Sequence, residues 1–290
     1  MLLKEASDNF LLYLHSLNRS IGTVECYRKG IKQLTDFLED KYNCPVYMED
    51  IKMDDLICFF EMLKYKKSLS DSTRCRLLHT YKSFWNYAAD KVGLCSKNIA
   101  RLMEPVKVNN KEKIFITDSE ANELFTAIKN PIAKVIVQTL YYTGLRISEC
   151  LNLENSDVIL SENVGFLYIR NAKGLKERKL PIGNKLANIL NEYESIYQSN
   201  SVNKYYFHGT KSNKISPSFI NKHLHIATKQ LNWSKNVSAH ILRHSFATRL
   251  IAGNIDISTI QRILGHSNIK TTSIYCHTDF DKLSGALELL

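Results

Sequence analysis

Apolar residues recur at three- and four-residue steps through almost all of the first hundred positions, and this periodicity limits the fold more than any other feature. Over residues 5–18 the stripe is Phe10, Leu14 and Leu17, with Leu3 and Ala6 a turn earlier. A second stripe is Tyr27, Ile31, Leu34 and Leu38, in a helix that Thr23 is placed to cap. Asp54 or Asp55 opens a third helix through Ile57, Phe60 and Leu63. Ser70 or Ser72 opens a fourth, with Leu77, Tyr81, Phe84, Trp85 and Ala88 inward and Gly93 as its stop. A short helical piece follows to Met103. Helices of this length are not stable alone, so they are expected to pack as a bundle.

The period breaks after Pro105. Residues 107–113 are polar and aperiodic, the character of a linker between a domain at 1–106 and a second at 114–290. Beyond it, Thr117 or Asp118 with Glu120 starts a helix, and 132–142 forms another that ends at Gly144. Residues 164–170 alternate and 178–182 form a second short strand, joined by a turn at Asn171–Gly174. Helical patterns return at 185–197, 216–231, 239–252, 258–264 and 271–275. The expected fold class is mainly α with a small β-sheet: a helical bundle, then a mixed α/β domain.

Composition narrows the partner. With 44% hydrophobic and 23% charged residues in 290, the chain has material for a core and is not a disordered or collagen-like sequence. No stretch approaches 18 uncharged apolar residues, and Lys4, Glu5 and Asp8 interrupt the start where a signal peptide needs an apolar run. The expected location is the cytoplasm, with no membrane partner. Seven scattered cysteines, odd in number and without a C-x-x-C pair, read as free thiols, several of them in buried helix. The net charge of +10 favours a polyanion. Both parts contribute, with 17 basic against 14 acidic residues up to position 110 and 22 against 15 after it.

Five separated places in the second part carry groups suited to a phosphodiester. Arg146 lies in Thr143-Gly-Leu-Arg-Ile-Ser-Glu149, and Lys173 in the hairpin turn. His240 and Arg243 lie in His240-Ile-Leu-Arg-His244, His266 in Leu264-Gly-His266, and Tyr275 in Thr272-Ser-Ile-Tyr275. This order resembles the tyrosine recombinase (phage integrase) family, and Ala239–Thr278 resembles its bacterial Xer-type members. Each tripeptide alone is a weak signal; all five in order, with about 130 residues from Arg146 to Tyr275, are specific. The helical first part is similar to the family's core-binding DNA domain.

Elementary chemistry is consistent with these roles. Arg146 and Arg243 are permanently charged, planar donors suited to nonbridging phosphate oxygens. Glu149 is placed to orient Arg146 or a neighbouring histidine rather than to touch DNA. Tyr275 is the candidate nucleophile, and a phenol with a pKa near ~10 needs a base and a positive field. His240 is the better candidate base, and His266 a hydrogen-bond donor to the same phosphate. Lys173 matches the family's lysine between the second and third strands and would protonate the leaving oxygen, although Lys176 and Lys179 are close by.

The resemblance implies a 3′-phosphotyrosine, a 5′-hydroxyl and a Holliday junction, with no metal, nucleotide or other cofactor. It further implies a double-stranded DNA partner with an inverted-repeat core site and a homo-tetramer on DNA, with or without a second recombinase. The tail hydrophobics Phe280, Leu283, Leu287 and Leu290 would form a short helix docked on a neighbouring protomer. Chromosome or plasmid resolution and integration or resolution of a mobile element all fit this sequence.

Two other readings compete. His240 and His244 have the spacing of a zinc-protease helix, but Ile241 stands where its catalytic glutamate would be. Phe246–Ser267 imitates a helix-turn-helix, as in a non-enzymatic DNA-binding regulator, but that reading leaves Arg146, Lys173 and Tyr275 without a role.

Overall fold

Side-chain oxygens set most helix starts. In the computed structural model Ser20, Ser70, Thr117, Asn130, Ser216 and Asp256 each accept the backbone N–H three residues on, and a helix begins after each. The structure describes residues 1–108, 114–160, 165–170, 177–197, 203–209 and 214–265. The chain divides into two compact units, Met1–Glu112 and Lys113–Leu290.

The first unit holds α1 (Leu3–Ser16), α2 (Ile21–Tyr42), α3 (Met53–Glu61) and α4 (Asp71–Trp85). Its core joins Phe10, Ile31, Leu34, Leu38, Phe59, Tyr81, Phe84 and Trp85, all essentially inaccessible to water. Helices α2 and α4 meet closely at Gly30, where a Cβ would come within 3.0 Å of Thr80 Cγ2. The Tyr81 hydroxyl donates to the Gly30 carbonyl at 2.9 Å across the same contact.

Several expected details shift. Ser20, not Thr23, caps α2, and Thr23 supplies the capped N–H. Helix α3 starts after Lys52 because Asp55 sits one turn in and accepts the Lys52 N–H at 2.9 Å. Its buried stripe is Leu56, Phe59, Phe60 and Leu63, which turns Ile57 out to solvent; Leu17 is also exposed, since α1 ends at Ser16. Past Glu61 and past Trp85 the helices widen to five-residue hydrogen-bonded turns, Lys67 N–H to Met62 O and Val92 N–H to Tyr87 O. Cys150 is a core thiol as expected, whereas Cys44 and Cys58 are exposed, one just after the left-handed end of α2 and one on the outer face of α3.

The second unit is built around α6 (Pro131–Thr143), whose Ile136, Val137 and Leu140 are fully buried. Around it pack α5 (Asp118–Ala127), α7 (Ile147–Leu151), α8 (Asn184–Tyr197), α9 (Pro217–Gln230) and α10 (Ala239–Ala252). Helix α11 (Ile257–Leu264) lies against α10. A three-stranded antiparallel sheet runs in the order β1 (Val158–Ile159), β2 (Gly165–Ile169), β3 (Arg178–Ile182). The residue pattern did not show strand β1; two residues are too few for an alternation to register. Leu167 pairs with Leu180 on the inner face and Tyr168 with Lys179 on the outer. No helix among the described residues is long and apolar enough to cross a membrane.

Candidate active site

Two glycines in the left-handed region frame the site. Helix α6 ends at Gly144 (φ 64°) and α11 at Gly265 (φ 65°). A Cβ on Gly144 would lie 2.3 Å from Phe246 Cδ1, and one on Gly265 would lie 2.7 Å from Arg178 Nη1. Both positions favour glycine by backbone conformation; at Gly144 the Phe246 ring also leaves no room for a side chain, and at Gly265 the Arg178 guanidinium occupies that room.

Helix ends present unpaired carbonyls and the negative end of the helix dipole, and arginines fill that need here. Arg243, 4% exposed on α10, donates from Nη1 to Gly144 O and from Nη2 to Leu264 O, both at 2.7 Å. It bridges the ends of α6 and α11. Arg146 stands at the start of α7 and donates from Nη2 to Gly265 O at 3.3 Å. Arg178, the first residue of β3, donates from Nε to Ile263 O at 3.0 Å. Three consecutive carbonyls, Ile263, Leu264 and Gly265, are thus held by three different arginines.

Glu149 binds the same arginines from its place in α7. Its Oε1 accepts Arg146 Nη1 at 2.8 Å and Arg178 Nη1 at 3.4 Å. Its Oε2 accepts the Arg146 backbone N–H at 2.9 Å and Arg178 Nη2 at 3.0 Å, with Arg243 Nη1 3.9 Å away. Burial disfavours the charged carboxylate, which is 7% exposed. The hydrogen bonds from Arg178 and from the Arg146 backbone outweigh burial and hold its carboxyl below the usual range. Among the described residues, this cluster sets three guanidinium groups against one carboxylate, a surplus of positive charge. Of the three, Arg146 reaches furthest into solvent, with 37% of its side chain exposed.

Of the residues expected at the site, Arg146, Glu149 and Arg243 come together. His240 is exposed in the first turn of α10, three residues from Arg243 and so on a neighbouring part of that helix surface, while His244 is buried. Lys173, His266 and Tyr275 lie outside the described residues, as do the expected helix at 271–275 and the tail hydrophobics. No three His, Cys, Asp or Glu side chains gather as metal ligands among the described residues.

Sequence reasoning missed Arg178, although the pattern of β3 carried the signal. Arg178 shares its strand face with Leu180 and Ile182, which are buried. A charged residue at the inward period-two position of a strand needs a buried partner.

Residues 114–282 match the family model described as the phage integrase family. A tyrosine recombinase from Thermosipho africanus is 30% identical over 283 residues, covering 95% of this chain and 95% of that protein. A tyrosine recombinase XerC from Halalkalibacterium halodurans is 30% identical over 288 residues, covering 94% and 93%. The fold is also that of a lambda integrase dimer bound to a COC′ core site, with a TM-score of 0.77, 17% identity and coverage of 93% of this chain and 97% of that one. Kinship that runs nearly end to end with two tyrosine recombinases, above a family match to more than half the residues, makes this chain a member of the phage integrase family.

Proposed function

We propose that this protein is a site-specific DNA recombinase of the Xer type, cleaving and rejoining DNA through a 3′-phosphotyrosine and a Holliday junction. The observation that carries the reading is the gathering of Arg146 and Arg243, distant in sequence, around the one carboxylate of Glu149. A phosphodiester that becomes pentacoordinate builds negative charge on its nonbridging oxygens, and fixed guanidinium groups stabilise that charge without reorganising.

In this mechanism the Tyr275 oxygen attacks phosphorus as His240 takes the phenolic proton. The bond to the 5′ oxygen breaks, and Lys173 gives that oxygen its proton. His266 donates a hydrogen bond to the same phosphate. The phosphotyrosyl bond keeps the energy of the phosphodiester, so attack by a 5′-hydroxyl of the partner strand rejoins DNA without ATP. The first unit, with its basic helices, would bind the DNA backbone and read a few groove positions of an inverted-repeat core site. Four copies would assemble on two duplexes and exchange one pair of strands at a time, with the tail beyond Tyr275 docked on the adjacent copy.

A nicked suicide duplex tests this. Its sequence is taken from genomic DNA recovered with the protein by cross-linking and immunoprecipitation. The wild type is expected to form a covalent adduct stable to denaturing detergent, and Tyr275→Phe to bind the duplex without forming one. No adduct with the wild type, or an undiminished adduct with Tyr275→Phe, would refute the mechanism; a bound but uncleaved duplex would instead favour a DNA-binding regulator.

A further inference from the structure

Arg178 belongs to none of the motifs that mark the family resemblance, yet it ties Glu149 to the end of α11. Its Nη2 and Nη1 take the two oxygens of Glu149 at 3.0 and 3.4 Å, a forked pairing. Its Nε takes Ile263 O at 3.0 Å. The guanidinium fills the space a side chain on Gly265 would need, with Cζ 3.0 Å and Nη1 2.7 Å from the position of a built Cβ. Only 12% of its side chain is exposed, so it is a poor candidate for a direct ligand of DNA.

The chemistry of this placement is specific. Glu149 can aim Arg146 only if the carboxylate itself cannot rotate. Arg146 alone holds it through one guanidinium nitrogen and its own backbone N–H. The fork from Arg178 fixes the carboxylate plane, and the Ile263 bond ties that plane to the end of α11, where Arg146 also binds Gly265 O. A lysine in this place would supply charge and rotatable donors but not the planar fork that fixes the plane of a carboxylate.

We propose that Arg178 is a positioning residue for strand cleavage: it locks Glu149 and the end of α11 so that Arg146 stays aimed at the scissile phosphate. This rests on the recombinase reading above. The test is single-turnover cleavage of the nicked suicide duplex at saturating protein, on a natural scissile phosphate and on one in which a methyl group replaces a nonbridging oxygen. The methylphosphonate carries no negative charge, so its cleavage depends less on a well-aimed Arg146.

Arg178→Gln is expected to slow adduct formation about 100-fold on the phosphate, the scale of a misplaced catalytic group, while duplex affinity stays within about threefold. Arg178→Lys, which keeps the charge, is expected to fall between the two and serves if the glutamine variant does not fold. On the methylphosphonate the gap between variant and wild type should narrow at least tenfold, as it should for Arg146→Ala. An equal loss on both duplexes would assign Arg178 to folding alone and overturn the inference, as would an unchanged rate on the phosphate. If the wild type forms no adduct, or Arg146→Ala reacts at the wild-type rate, the recombinase reading itself fails.

Discussion

The two units contain the same local device put to different ends. Asp55 in the first and Glu149 in the second each stand at the third position of a short helix, α3 or α7, and reach back to the backbone N–H just before it at 2.9 Å. Both carboxylates are buried, and both are held below the usual carboxyl range against the opposing effect of burial. Asp55 is matched by one ammonium, Lys41 at 2.6 Å, and one neutral phenol, Tyr42 at 2.6 Å. Glu149 is matched by two hydrogen-bonded guanidinium groups and lies near a third. A balanced cluster has done its work once the helix is held. The second cluster, which among the described residues sets three guanidinium groups against one carboxylate, is suited to attract an anion, and in the proposed function that difference separates it from a structural staple.

The largest effect should come from breaking the unbalanced cluster. Arg146→Ala is expected to cut the rate of adduct formation by about 10²–10³, the cost of removing one donor from a developing oxyanion. It should change the melting temperature little, because Arg146 is the most exposed of the three arginines. Arg243→Ala should cause a loss at least as large and also destabilise the second unit, since it opens the ends of both α6 and α11. Single-turnover cleavage beside thermal unfolding separates the two variants. Equal destabilisation by both would mean that the cluster is a staple like the one around Asp55.

The balanced cluster should show the reverse profile. Asp55→Asn is expected to cost about 2 kcal/mol of first-unit stability, the scale for charged hydrogen bonds lost beside a partly solvated lysine. The rate of cleavage at saturating DNA should not change. Trp85 is buried in the first unit, so in a Trp233→Phe background its fluorescence follows that unit during urea unfolding. The pH dependence has a definite sign. The folded carboxyl titrates below the unfolded one, so its contribution is complete above the unfolded value of about 4 and is lost as pH falls through the folded value. The gap between wild type and Asp55→Asn should therefore be constant from neutrality to about pH 5 and shrink under stronger acid; a gap that widens under acid would contradict the pairing.

Most of the scaffold around these clusters was legible in the sequence, because its signals are local. The strand at 178–182 and the helix at 239–252 fall where alternation and apolar period put them. The Thr117–Glu120 pair opens α5, and Gly144 ends α6 at the only kind of residue with space there. Less local features were harder to see. The hydrogen bonds that widen the helix ends past Glu61 and Trp85 leave the apolar spacing nearly intact, so the pattern does not report them. Helix α2 is capped three residues earlier than Thr23: either hydroxyl suits a cap, and only the extended backbone at Ser20 decides. Arg146 and Arg243 were visible as motif residues, but the third arginine at the end of α11, Arg178, is one that no motif names.

The smallest expected effect sharpens the comparison most directly, because it removes charge from both sides. Ser70 and Thr117 are neutral caps, one in each unit, and each accepts the N–H of its helix's first turn at 3.3 Å. Ser70→Ala and Thr117→Ala should each cost about 1 kcal/mol. The Thr117 variant keeps part of its cap, since Glu120 still accepts the backbone N–H at 2.9 Å. Neither change touches the arginine cluster, so adduct formation at saturating DNA should match the wild type in both. A tenfold slower reaction in Thr117→Ala alone would show that any weakening of the second unit disturbs cleavage. The distinction would then lie in the rigidity of that unit rather than in the excess of guanidinium charge around Glu149.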